Sequence, residues 1–231
     1  MIRTALCDDH DIVRRGLALL LNQTGDIRVV VEARNFGTLH RQLQSEPCDV
    51  LVIDIEMPGR DGIEAVGLLR REMPYMAALV LSSHPESTYA VRALRAGAAG
   101  YLNKAAAPEQ LVEAVRRLAS GRKYLSPETA EALATAVAGE SQEHPHESLS
   151  TREFQVLRMI ASGLQLSDIA GNLALSPKTV SVYRSRILEK LQLANNVEIA
   201  QYAMRHGMTP DAAAIRESGP KSIAKKNRGR Q

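Results

Sequence analysis

Val50-Leu51-Val52-Ile53-Asp54-Ile55-Glu56-Met57-Pro58-Gly59 sets an unbroken aliphatic run against an acid and then a turn. The run is too short for a helix, and its Pro-Gly boundary makes it a fully buried strand. Asp54 directly ends the apolar run, so its carboxylate is expected to be partly buried. Runs of the same character stand on either side, at Arg3–Cys7, Ile27–Ala33, Ala77–Leu81 and Gly100–Leu102. Between them the apolar residues change period. Val13, Leu17, Leu20 and Leu21 recur at helical spacing, as do Leu111, Val115, Leu118 and Ala119. His84-Pro85 supplies a turn after the fourth run. Five strands alternating with five helices imply an α/β fold, a doubly wound five-stranded parallel sheet of flavodoxin-like type. Right-handed crossovers then put helices on both of its faces.

Open parallel sheets present their chemistry at the carboxyl ends of the strands, near the point where strand order reverses. Asp8 and Asp9 follow the first strand and Asp54 ends the third, while Ser82 and Lys104 follow the fourth and fifth. Singly, each has an ordinary explanation as a helix cap, a turn residue or a solvated charge. Together they do not, because three converging carboxylates repel and raise one another's pKa. A hard divalent cation relieves that repulsion, and three oxygens with waters suit Mg²⁺.

These residues resemble the receiver domain of bacterial two-component response regulators. The resemblance rests on Asp8-Asp9, on Asp54 within Asp-Ile-Glu-Met-Pro-Gly-Arg-Asp-Gly, on Ser82 and on Lys104, and it covers roughly residues 2–120. It implies that Asp54 takes a phosphoryl group from the phosphohistidine of a cognate sensor histidine kinase. Asp8, or Asp9, and Asp54 would hold Mg²⁺ with the backbone carbonyl of Glu56. Lys104 would pair with one phosphoryl oxygen, and Ser82 would donate to another. Tyr101 stands at the family's switch position, where an aromatic side chain turns inward when the Ser or Thr moves. In-line phosphoryl transfer needs charge neutralisation and positioning above all, which a metal, an ammonium and a hydroxyl supply. The chain departs from the commonest receiver pattern after Lys104, where Ala105-Ala106-Ala107 precedes Pro108. Glu56 and His84 occupy positions that tune phosphoryl lifetime in the family.

Charge divides the rest of the chain. Residues 1–120 hold 14 Lys/Arg against 15 Asp/Glu, residues 121–147 hold 2 against 5, and residues 148–231 hold 13 against 6. A near-neutral front, an acidic neck and a basic back fit a regulatory domain joined to one that binds a polyanion. Gly139 to Ser148 contains no apolar residue and reads as a linker, preceded by an amphipathic helix over 127–138 that opens at Ser126-Pro127-Glu128. His144 and His146 form an H-x-H pair with no third ligand nearby in sequence. Residues 211–231 are basic and nearly devoid of apolar side chains, so they are expected to be a disordered tail.

The back half begins with Ser150 and Glu153 spaced as a capping box, with Leu149 and Phe154 placed to staple across it. This helix carries Val156, Leu157, Ile160 and Ala161 and stops at Gly163. Ser167 is expected to cap a short second helix. Ser176, followed by Pro177, should cap a third, so that the pair forms a helix-turn-helix. On the third helix Val180, Tyr183, Ile187 and Leu191 form an inward stripe. Lys178, Thr179, Ser181, Val182, Ser185 and Arg186 are left for a face that suits a DNA major groove.

The string from Leu149-Ser150-Thr151-Arg152-Glu153 through Ser176-Pro177-Lys178-Thr179-Val180 to Lys190-Leu191 resembles the LuxR-type DNA-binding domain, over about residues 149–208. Many relatives carry Lys where Ser181 stands and His where Tyr183 stands. Joined to a receiver, the module is similar to the NarL/FixJ class. The expected domains are therefore a receiver over 1–120, a linker over 121–147, a helix-turn-helix domain over 148–210 and the tail over 211–231. The resemblance implies a non-enzymatic transcription factor that meets promoter DNA and RNA polymerase and dimerises when phosphorylated.

Other classes fit less well. A dehalogenase-like phosphoaspartyl enzyme resembles D-x-D at its nucleophile, whereas Ile55-Glu56 follows Asp54. A nucleotide-binding sheet needs a Gly-rich turn after its first strand, where Asp8-Asp9-His10-Asp11 would repel phosphates. A receiver acting through protein contacts alone, without specific DNA recognition, is the remaining alternative. No apolar run approaches the ~20 residues of a membrane span, and the N-terminal residues lack a secretory signal, so a cytoplasmic protein is expected. Cys7 and Cys48 form no CxxC pair and read as small core hydrophobes.

Overall fold

The computed structural model describes residues 1–57, 60–83, 86–138, 145–173 and 175–208. The Pro58-Gly59 and His84-Pro85 turns, His144, most of the apolar-free linker and the tail over 211–231 lie outside the described residues.

The chain runs β1 (Ile2–Cys7), α1 (Asp11–Asn22), β2 (Ile27–Ala33), α2 (Phe36–Ser45), β3 (Val50–Asp54), α3 (Gly62–Glu72), β4 (Ala77–Ser82), α4 (Glu86–Ala96), β5 (Gly100–Asn103) and α5 (Pro108–Ala119). The strands form one parallel sheet in the order β2-β1-β3-β4-β5. Strand order reverses between β1 and β3, where Cys7 lies opposite Ile53. Asp8 and Asp54 are thereby set side by side at the switch point. Every residue of β3 is buried, as a central strand covered on both faces requires.

Details of the helices differ from the sequence expectation. On α1 the deepest residues are Arg14, Ala18 and Leu21, while Val13, Leu17 and Leu20 are only partly covered. Arg14 reaches inward because its guanidinium donates to the backbone carbonyl of Asp8 at 2.7 Å and to Asp11 Oδ1 at 2.5 Å. On α5 Ala114 takes the core position and Ala119 is exposed, since the helix ends there. Cys7 and Cys48 are free thiols, each pushed up to about 12 by burial, so they pack rather than react.

Beyond the sheet lie α6 (Pro127–Ala138), a 3-10 turn (Pro145–Ser148), α7 (Thr151–Ala161), α8 (Leu166–Asn172), α9 (Pro177–Leu191) and α10 (Asn196–Arg205). The Ser150–Glu153 capping box forms at α7, with each residue's side chain accepting from the other's backbone N–H. Ser176 accepts from the Thr179 amide at the start of α9, with Pro177 in the first turn. Ser167 does not cap α8. Gln165 holds the cap position without a side-chain bond, and Ser167 lies inside the helix. Glu153 is buried beside Lys190 at 2.7 Å, which ties α7 to α9. Desolvation alone would raise that carboxyl, but Lys190 and the Ser150 bonds hold it below the usual range. The larger core cluster runs without a break from Leu51 and Ile53 to Phe154, Ile187 and Ile199, joining sheet and helical module.

Candidate functional site

Asp54 is the last residue of β3 and is 4% exposed; Asp8, just past β1, is 3% exposed. Lys104 lies between them and donates from Nζ to Asp8 Oδ2 and to Asp54 Oδ2, both at 2.7 Å. One ammonium thus faces two buried carboxylates, which leaves the cluster negative. Burial pushes the Asp54 carboxyl up to about 7, Lys104 opposes that, and Asp8 and Glu56 reinforce it by repulsion. Burial alone would lower the Lys104 ammonium, but Asp54 and Asp8 keep it above its ordinary value.

Asp8, Asp9, His10 and Asp54 offer ligand atoms that all lie within 4.8 Å of one another. Asp9 Oδ1 is buried and has no hydrogen-bond partner, although His10 Nδ1 stands 2.9 Å away. Burial raises the Asp9 carboxyl, and the Asp8 charge adds to this while His10 works against it. A buried carboxylate oxygen without a hydrogen-bond donor, among three converging Asp side chains, is what a hard dication would satisfy. The acidic residues present fit such an ion.

Ser82 ends β4 and is buried. Its side chain is hydrogen-bonded to Tyr101 on β5, whose ring is fully enclosed. Sequence reasoning missed Arg14, which fixes the Asp8 backbone, because an arginine on an amphipathic helix looks solvated. It also missed His10, and the Asp8-Asp9-His10 run itself was the signal available for it. Gly62 opens α3 against this site: a Cβ there would lie 2.0 Å from the Asp54 carbonyl oxygen.

On α9, Val180, Ile187 and Leu191 are buried, while Tyr183 is half-buried. Lys178, Ser181, Val182, Ser185 and Arg186 are exposed, with Val182 at 45%. Thr179 is half-buried, and its hydroxyl lies 2.8 Å from Ser176 Oγ within the cap. A polar, basic, exposed face on the second helix of the pair is dimensioned for a major groove. Among the described residues no helix is long and apolar enough to cross a membrane.

Comparison with known proteins agrees with this geometry. The family described as response regulator receiver domain matches residues 5–116, and that described as bacterial regulatory proteins, luxR family, matches residues 147–203. Response regulator GacA of Pseudomonas aeruginosa is 40% identical over 219 residues, covering 93% of this chain and 100% of that protein. Response regulator UvrY of Escherichia coli is 37% identical, covering 90% of this chain and 96% of its own. RcsB of Salmonella enterica serovar Typhimurium, solved bound to promoter rprA in the presence of the phosphomimetic BeF3⁻, superposes with a TM-score of 0.62. That structure is 26% identical and covers 87% of this chain and 97% of its own. With both modules matched and relatives aligned over at least 90% of this chain, the chain belongs to the NarL/FixJ-class response regulators, transcription regulators in which a phosphorylation-controlled receiver is joined to a LuxR-type DNA-binding domain.

Proposed function

We propose that Asp54 accepts the phosphoryl group and that its modification controls sequence-specific binding to promoter DNA through α9. The observation that carries this reading is Asp54 itself, buried at the switch point with Lys104 on one oxygen and the Asp8–Asp9 cluster beside it. An Asp54 oxygen attacks phosphorus, and the N–P bond of the kinase's phosphohistidine breaks with its electron pair returning to the imidazole. Lys104 then pairs with a phosphoryl oxygen, and Ser82 donates its hydroxyl to another. Asp8, Asp9, Asp54 and the Glu56 carbonyl would hold Mg²⁺, which when bound supplies charge neutralisation for the transferring group. Tyr101 serves as the switch residue. The site is a stoichiometric acceptor rather than an enzyme, and phosphate release over many turnovers would contradict that.

Residues 1–120 act as receiver, 121–147 as connection, 148–210 as reader and 211–231 as a basic tail. The partners are a sensor histidine kinase, double-stranded promoter DNA, RNA polymerase and, after phosphorylation, a second copy of the chain, all met in the cytoplasm. RcsB, which a solved structure shows bound to DNA, is similar to this chain over 88% of its length and supports the reading of α9.

Asp54→Asn should lose the Mg²⁺-dependent, hydroxylamine-labile phosphoryl label; an undiminished label on that variant would move the acceptor elsewhere.

Magnesium should also reveal itself through stability. The Asp54 carboxyl is raised from 3.8 to about 7, so the folded chain keeps a proton there that the unfolded chain has released. Its contribution to stability is full below the unfolded value and falls as pH rises through about 7. Mg²⁺ favours the ionised form and should therefore stabilise the protein more at pH 8 than at pH 5. At a hundredfold excess over its Kd the gain approaches about 2.7 kcal/mol. Thermal unfolding with and without Mg²⁺ across that pH range checks the sign, and a gain confined to acid pH would contradict it.

Reading by α9 has its own signature. Lys178→Ala should weaken binding to all sequences alike, because a lysine near the helix start meets phosphate. Val182→Ala should change preference at particular base pairs, by up to about 1.5 kcal/mol for the two methyl groups removed. Binding to a randomised site pool separates the two, and equal sequence-independent losses would mean that α9 is not the reader.

A further inference from the structure

His10 precedes α1 at the position where a side chain ordinarily caps the helix, yet its ring makes no cap hydrogen bond. The ring turns to the acids instead. Nδ1 lies 2.9 Å from Asp9 Oδ1 and 3.3 Å from Asp8 Oδ1. The turn is fixed by the His10 amide, which donates to Asp8 Oδ1 at 2.8 Å. Lys104 takes Asp8 Oδ2 and Asp54 Oδ2, so the oxygens that face the imidazole are the Oδ1 atoms of Asp8 and Asp9. Asp9 Oδ1 is buried and has no hydrogen-bond partner even with Nδ1 so near. The two atoms thus approach closely without the alignment of a hydrogen bond. Two ligands of one cation approach in that way. Atoms about 2.0–2.1 Å from an octahedral ion stand about 3.0 Å apart at neighbouring corners. The separations of 2.9 and 3.3 Å are close to that edge.

The carboxylates by themselves suit a hard ion that prefers oxygen. An imidazole nitrogen beside them alters the choice, because nitrogen ligands favour the later first-row dications over Mg²⁺. Resting on the reading of Asp8, Asp9 and Asp54 as a cation site, we propose that His10 Nδ1 is a ligand of that site and makes it prefer a nitrogen-accepting transition dication, of the Fe²⁺ or Co²⁺ kind, to Mg²⁺. The His10 side chain is 63% exposed, so it can meet an incoming ion, and replacing it opens no cavity. Mg²⁺ binds through the oxygens and gains nothing from the ring. Phosphoryl transfer to Asp54 then answers to which dication is available, since the ion held more tightly neutralises the transferring group at a lower concentration. The other role open to the ring is to offset the negative charge of the acids. A ring acting through charge alone would affect every dication alike, because Co²⁺ and Mg²⁺ carry the same charge.

Co²⁺ and Mg²⁺ are titrated separately into the metal-free, full-length protein by calorimetry, in the wild type and in His10→Asn. Only Co²⁺ that excess Mg²⁺ displaces is counted, which sets aside binding at other histidines. His10→Asn should hold Co²⁺ at least about tenfold more weakly, while its Mg²⁺ affinity changes by less than about twofold. Its urea midpoint without metal should not fall below that of the wild type, since Asn is a favoured cap residue. With Co²⁺ bound, the proton NMR spectrum of the wild type should contain a hyperfine-shifted, exchangeable ring N–H resonance. Excess Mg²⁺ and His10→Asn should each remove it. Equal weakening of both ions, or a Co²⁺ affinity unchanged in His10→Asn, would overturn the assignment of His10 as a ligand. A wild-type spectrum without that resonance would overturn it too. Failure of the wild type to bind either ion would overturn the reading of the acids as a cation site, and the role of His10 with it.

Discussion

Gly62→Ala should destabilise the protein by about 3 kcal/mol or more, beyond the usual cost of one extra methyl group in a packed core. A Cβ at this position would sit 2.0 Å from the Asp54 carbonyl oxygen, 2.8 Å from its carbonyl carbon and 3.0 Å from Ile55 Cα. All three are backbone atoms of β3 and its exit, so no side chain can swing aside. The Gly62 amide also donates to the Ile55 carbonyl at 2.9 Å, fixing the start of α3 against the site. Relief requires α3 to move away or Asp54 to move off the switch point, and either one costs function as well as stability. Gly171→Ala is the control. It lies on α8 with nothing within 4 Å of its Cβ, and should gain up to about 1 kcal/mol from helix propensity. Urea unfolding of the two variants should move in opposite directions; a Gly62→Ala midpoint equal to the wild type would show that the close approach is not tight.

Lys104→Met should cost about 3 kcal/mol in metal-free buffer, because it takes the shared cation from two buried carboxylates. The ammonium is mostly enclosed, with its side chain 16% exposed, so solvent replaces little of what is lost. The Asp54 carboxyl should then rise further and carry a proton near neutral pH. Mg²⁺ supplies positive charge to the same carboxylates and should recover part of the loss, giving a larger stabilisation in the variant than in the wild type. Equal Mg²⁺ responses would mean that metal and lysine do not address the same charges.

Most of this architecture could be read from the residues. Apolar runs located all five strands, and the capping box at Ser150 and Glu153 located the start of α7, because each feature is local and repeats a simple period. The acid at Asp54 stood out for the same reason: a charge ending an aliphatic run has few ways to be satisfied. Failures came where a distant partner decides a side chain's fate. Arg14 looked solvated until the Asp8 carbonyl was in reach, and Ser167 looked like a cap until α8 began two residues earlier. The Tyr89–Arg158 contact spans 69 residues and joins two helices that no local pattern pairs. Pairings of that kind belong to the assembled tertiary structure, and no window of sequence contains them.

The measurement that bears most directly on the account compares DNA affinity before and after treatment with a small-molecule phosphodonor and Mg²⁺, in the wild type and in Asp54→Asn. A tenfold gain corresponds to about 1.4 kcal/mol of differential binding between the two states. The wild type should gain at least that much and Asp54→Asn nothing, with both binding equally before treatment. The same gain in both proteins would contradict the account.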